Sequence, residues 1–227
     1  MDVKMMFPHR IKSILPSDRV LEIGPGGTPH PRADVLLEKV FPSEEEARQQ
    51  RGLAAKGQTD QLLVTYDGET VPFAEREFDY VICSHVLEHV HDVDSFTREI
   101  SRVGKKGYIE YPTIYYEYLY NFRVHRNFLL LRGDVIHWMP KGETPLNEFR
   151  EVQRFFYDSL AGGYNDLAVA LQPFLFEGRE WFDSIKTRRV TEIKDVCFEA
   201  GAYRIPKKPE IVKRKKGIRR LFGLRGI

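Results

Sequence analysis

The sequence predicts an α/β fold: a mostly parallel sheet with helices on both faces, plus a cover inserted after the fifth strand. Three observations carry that prediction. Through the first half of the chain, short apolar runs alternate with helix-permissive stretches, which is the pattern of a parallel sheet packed by helices. The first run ends directly in Gly24-Pro25-Gly26-Gly27, a glycine-rich turn. The alternation then stops at Pro112, beyond which the composition becomes aromatic.

Val20-Leu21-Glu22-Ile23 reads as the first, buried strand. Val35-Leu36-Leu37-Glu38 follows after a short link as the second, and Leu62-Leu63-Val64-Thr65 precedes Tyr66-Asp67-Gly68 as the third. The intervening residues 44–56 are charged and helix-permissive. Residues 78–84 form the fourth strand, and after His91-Asp92 the amphipathic stretch 93–103 reads as a helix. Gly104-Lys105-Lys106-Gly107 turns the chain into the fifth strand, Tyr108-Ile109-Glu110-Tyr111, which Pro112 ends. Residues 127–139 read as a hairpin about Arg132-Gly133-Asp134. The stretch 171–176 is read as completing the sheet and 190–198 as a last helix. One irregularity stands out early: Pro29 and Pro31 lie one residue apart, so a helix between the first two strands is expected to be short or absent.

A chain of 227 residues accommodates one α/β domain with some added structure. We divide it into a single domain over 1–204, with a core at 18–112 and a cover at 113–165, and a basic tail at 205–227. No apolar run approaches the roughly 20 residues that span a bilayer. The N-terminus lacks the apolar region and cleavage site of a secretory signal. Cys83 and Cys197 are the only cysteines, too few for a disulfide framework. A cytoplasmic protein is expected. Residues 201–227 hold ten Lys/Arg against one acid, a charge of +9, which leaves −7 for residues 1–200 of a chain whose net is +2. Ile211, Ile218, Leu221 and Phe222 fall at helical spacing among these cations, the look of a helix lying on a membrane surface. Peripheral contact with the inner membrane surface is therefore an expectation. Nucleic acid is not expected as a partner, because the body is net negative and has no evident basic and aromatic groove.

The glycine turn lets the backbone bend sharply and approach a ligand with no Cβ in the way. Glu38 ends the second strand, where a carboxylate can accept from both hydroxyls of a ribose. Asp67 with Gly68 ends the third, where an acid can accept from an exocyclic amine. Taken in order, Leu21-Glu22-Ile23-Gly24-Pro25-Gly26, then 67–73, then 78–90 resemble the class I, Rossmann-like S-adenosylmethionine-dependent methyltransferases. The resemblance covers about residues 18–112. It implies S-adenosylmethionine as cofactor and S-adenosylhomocysteine as product. It places Gly24 and Gly26 against the methionine part, Glu38 on the ribose and Asp67 with Gly68 on the adenine. Ser84 and His85 fall near the departing methyl, and Glu22 orients the glycine loop and the cofactor's ammonium.

Methyl transfer to a hydroxyl needs a proton taken from it, and histidine titrates near neutral pH. His85 is the first candidate base and His89 the second, with His91, His125 and His137 behind them. No metal is assigned. The spacing His85-x-x-Glu88-His89 is nevertheless similar to a Glu-x-x-Glu-His metal site of ubiquinone-type and small-RNA methyltransferases, which makes a divalent ion the alternative. The aromatic stretch 115–122 can stack on a sugar or ring, or simply pack the cover. Glu110-Tyr111-Pro112-Thr113 and Tyr116-Glu117, followed by His125-Arg126, also resemble a subgroup of bacterial-type methyltransferases, some of which look like glycan-modifying enzymes. This resemblance implies a saccharide or other small hydroxyl compound as acceptor and glycan modification as the role. The competing functions are a non-catalytic S-adenosylmethionine-binding module and an RNA or protein methyltransferase.

Overall fold

In the computed structural model, residues 5–51, 60–144, 146, 150–164 and 166–199 are described. Nine strands are found among them: β1 (Val20–Ile23), β2 (Val35–Lys39), β3 (Leu62–Tyr66), β4 (Tyr80–Ser84), β5 (Lys106–Pro112), β6 (Asn127–Arg132), β7 (Val135–Pro140), β8 (Phe176–Phe182) and β9 (Lys186–Arg189). The main sheet runs β3-β2-β1-β4-β5-β8. Its first five strands are mutually parallel, and β8 is antiparallel to β5, with Gly107 opposite Trp181. The result is a Rossmann-like, mostly parallel α/β fold.

The central strands are apolar without interruption because both faces are covered. Leu21, Ile23, Val81, Cys83, Ile109 and Tyr111 share one face. Val20, Tyr80, Ile82 and Tyr108 share the other. On the first face packs helix α2 (Val93–Val103), which buries Val93, Phe96, Thr97, Ile100 and Val103 at helical spacing and starts where Asp92 caps the Ser95 amide. The β6-β7-β9 sheet joins this layer through Leu129, Ile136 and Trp138. The second face is covered by residues 5–14 and by helices α3 (Ile114–Tyr120), α4 (Arg150–Ala161) and α6 (Gln172–Leu175). Two further helices, α1 (Glu44–Arg51) and α5 (Asp166–Ala170), complete the described elements of this kind.

As the two prolines predict, no helix lies between β1 and β2. Thr28 to Arg32 is a turn and loop instead, and residues 5–14 pack against the second face of the sheet. The hairpin also forms as expected, with Gly133 at φ +62° in its turn. The end of the sheet corrects the reading at 171–176. Pro173 opens the helical turn α6 there, and the closing strand is Phe176–Phe182. That strand forms the sheet edge, and its acids are half-buried but satisfied by other segments, Glu177 by the Leu131 amide and Glu180 by the Lys12 and Ser13 amides. Residues 190–198 hold only a 3₁₀ turn at Ile193–Val196, not a last helix. The basic tail lies outside the described residues, as does the part of 44–56 beyond Arg51.

Candidate active site

Parallel strands that diverge at their carboxyl ends leave a crevice there. Here that crevice is a cavity of about 1220 Å³. It runs from the ends of β1, β2 and β3 to the undersides of α3 and α4.

Gly24 and Gly26 border it with left-handed backbones, φ +65° and +58°. A Cβ on Gly24 would lie 2.6 Å from the Val86 side chain, so the turn and the β4 loop are packed as closely as glycine allows. The Gly24 amide donates to the Leu37 carbonyl at 2.9 Å, which ties the turn to β2. Beneath the turn, Glu22 is buried and accepts from the His30 amide at 2.7 Å. Burial pushes its pKa up to about 7, against that one main-chain hydrogen bond. The Arg32 guanidinium turns away to the Leu15 carbonyl, and neither His30 nor Arg32 borders the cavity.

Glu38, Gly68 and Ser84 border the cavity as well. Asp67 does not border it: its carboxylate accepts from the Glu69 amide at 2.8 Å and shapes the turn in which Gly68 takes φ +95°.

At the tip of β4, His85 has an unusual left-handed backbone, φ +56°. Its Nε2 lies 3.0 Å from Glu110 and its Nδ1 3.4 Å from Glu88. Burial alone would lower its pKa, but the two carboxylates outweigh burial and raise it to about 9. Glu110 is fully buried in β5 and accepts from the Met6 amide (2.7 Å), the Phe7 amide (2.9 Å), Ser84 Oγ (3.1 Å), His85 and the Tyr108 hydroxyl. Burial would raise its pKa, and these donors hold it below the ordinary carboxylate range instead.

His89 sits one helical turn further along the loop. Its Nδ1 faces the Val124 carbonyl at 3.2 Å, and burial next to His125 lowers its pKa to about 4. The His89 and His125 rings stand edge to face, centroids 4.6 Å apart. The His125 Nδ1 meets Glu117, a buried acid that Lys141 also contacts at 2.6 Å. Tyr116, Tyr120 and Phe122 continue the wall, and Arg126, Arg150 and Arg154 line its outer part.

The fold thus collects Gly24, Gly26, Glu38, Gly68, Ser84, His85 and His89 at one cavity and leaves Glu22 and Asp67 just behind its wall. Sequence reasoning did not assign Glu110 or Glu117 a role. Each had one visible signal, an acid inside an otherwise apolar strand or aromatic run. Some partners are local, Tyr108 for Glu110 and His125 for Glu117, but the Met6 and Phe7 amides that hold Glu110 are about a hundred residues away and could not be read.

Residues 21–109 match the family model described as a methyltransferase domain. Over this segment the chain is thus similar to methyltransferase domains, in keeping with its resemblance to the class I, Rossmann-like S-adenosylmethionine-dependent family. That family implies S-adenosylmethionine as the cofactor. Over 58 residues the chain is 40% identical to the demethylmenaquinone methyltransferase of Corynebacterium efficiens, a match that spans 25% of each protein. Among solved structures, a protein of Pyrococcus horikoshii is 19% identical, with 50% of this chain and 58% of that one covered and a TM-score of 0.38. An S-adenosylmethionine-dependent methyltransferase from Mesorhizobium loti is 19% identical, with 53% and 56% covered and a TM-score of 0.33. The chain thus spans a quarter of the curated relative and little more than half of these structures.

Proposed function

We propose that this protein transfers the methyl group of S-adenosylmethionine to a hydroxyl of a saccharide or other small acceptor. The observation that carries the reading is the single continuous cavity, which joins the glycine turn and Glu38 at one end to an aromatic and histidine-lined wall at the other. In this reading Glu38 accepts from the ribose, Gly24 and Gly26 admit the methionine part, and Gly68 with Asp67 frames the adenine. Glu22, buried under the turn, orients it and, through it, the cofactor's ammonium. Transfer is an in-line displacement: the acceptor oxygen forms its bond to the methyl carbon as the carbon–sulfur bond breaks, S-adenosylhomocysteine leaves, and the hydroxyl proton passes to a base at the acceptor end of the cavity and on to solvent. The protein's main contribution is to hold the oxygen about 3–3.5 Å from that carbon.

Both ring nitrogens of His85 face carboxylates, so we assign it a positioning role at the methyl end and not that of a free base. Activation of the acceptor then falls to the polar group at the far end, where His89 lies. The arginines of the outer wall favour an acceptor carrying phosphate, such as a nucleotide sugar. The charge of the tail favours docking on an anionic membrane surface.

Calorimetric titration with S-adenosylmethionine and S-adenosylhomocysteine tests the cofactor site. Binding is expected; Glu38→Ala should weaken it about tenfold or more, the scale of a lost hydrogen bond to a charged group, and Asp67→Ala should weaken it less, through the turn that places Gly68 at the cavity. Unaltered affinity in both variants would sink the assignment. An acceptor screen over deoxysugars, nucleotide sugars and a naphthoquinol then reads S-adenosylhomocysteine release. Binding without turnover on any acceptor would favour a non-catalytic module, and turnover on RNA or protein alone would displace the small acceptor.

A further inference from the structure

We propose that Glu88, His89 and His125 form a binding site for a divalent first-row transition-metal ion at the acceptor end of the cavity. One ligand atom from each residue lies within 4.8 Å of the others, and all three residues border the cavity. Two imidazoles and a carboxylate suit ions such as Zn²⁺, Mn²⁺ or Fe²⁺ better than the oxygen-seeking Ca²⁺ and Mg²⁺.

A second, independent observation points to the ion. The Glu88 side chain is completely buried, yet neither of its carboxylate oxygens accepts a hydrogen bond among the described residues. The protonated His85 ring offsets the Glu88 charge in part, but oxygens that accept no hydrogen bond leave the desolvation of a buried carboxylate incompletely repaid, and a directly ligated metal ion would complete it. The His85 Nδ1, at 3.4 Å, approaches one of these oxygens without making a hydrogen bond, and His85 itself is directed to Glu110.

The histidines are also set up as ligands. The Nδ1 of His125 is engaged by Glu117, and that of His89 faces the Val124 carbonyl, which leaves Nε2 of each ring for coordination. Metal-bound histidines almost always have their other nitrogen held in this way. The pieces come from distant segments that are firmly joined. The Arg126 and Asn127 amides donate to the Glu88 carbonyl at 2.6 and 3.2 Å, and the Asn127 side chain donates to the Leu87 and Val90 carbonyls. Three protein ligands leave coordination positions open toward the cavity, the arrangement of sites that also take a substrate oxygen. The ion's existence rests on this geometry alone; only its use on the acceptor rests on the function proposed above.

The test uses the full-length protein, freed of metal with a chelator and titrated with Co²⁺ and then Zn²⁺, without cofactor or acceptor. One equivalent of Co²⁺ should bind, give visible absorption bands and be displaced by Zn²⁺. Glu88→Gln and His125→Ala should lower affinity at least tenfold, and Glu117→Gln by about 10–100-fold through His125, whereas His9→Ala should leave it unchanged. Should a variant fail to fold, the unaltered protein still decides the matter: Zn²⁺ should shield His89 and His125, but not His9, from acylation by diethyl pyrocarbonate. No stoichiometric binding, equal affinity in Glu88→Gln and His125→Ala, or equal acylation with Zn²⁺ present would overturn the site. Cofactor titration of the same preparations separates the two readings, since intact cofactor binding alongside absent metal binding removes only the metal.

Discussion

Glu22 and Glu110 are two acids on parallel strands of one sheet, β1 and β5, with β4 between them, and their surroundings drive them in opposite directions. Glu110 has five donors and stays charged, whereas Glu22 has the single His30 amide and rises to about 7. The folded state therefore holds a proton on Glu22 that the unfolded chain releases near 4.5. Stability without cofactor should then fall as the pH rises from about 4.5 to about 7, and the penalty is complete above that. Glu22→Gln keeps an oxygen for the His30 amide and removes the charge. It should raise the melting temperature by a few degrees at pH 8 and much less at pH 5, while weakening cofactor binding; an equal gain at both pH values would contradict the linkage. Both acids stand out in the sequence because each interrupts an apolar strand. What separates them does not, because the Met6 and Phe7 amides that hold Glu110 lie about a hundred residues away in the chain.

Helix α2 was legible because all of its signals are local. Asp92 caps it, its apolar positions recur at helical spacing, and the range read from the sequence is the range observed. Asp92→Ala should cost about 1 kcal/mol, and Ile100→Ala about 2–5 kcal/mol for the cavity it leaves. Urea denaturation followed by circular dichroism measures both. A loss at Ile100 no greater than that at Asp92 would mean that the helix is less firmly packed than its burial indicates. Strand β8 was illegible for the opposite reason. Its partner on one side is β5 and its other edge is unpaired in the sheet order, so its charged residues carry no period-two signal. The missing helix after β1 was readable because proline acts on the backbone directly.

On the scale of the whole molecule, the cofactor half of the cavity could be read from strand ends in order, whereas the acceptor half depends on loops brought together from residues 84–92 and 121–126. Among the described residues no helix is long and apolar enough to cross a membrane. If the tail docks the protein on a surface, the full chain should sediment with anionic vesicles at low salt and lose that binding at high salt or on removal of residues 205–227. Retention by the shortened chain would place the contact elsewhere. The N-terminal segment has one more consequence. Met6 and Phe7 bind Glu110, and Lys12 and Ser13 bind Glu180 across 168 and 167 residues. A ribosome releases these early residues long before it has made the acids that receive them. The opening stretch of the polypeptide must therefore wait, and settling it against the finished sheet is a late event in folding that no amount of local helix or turn formation can hasten.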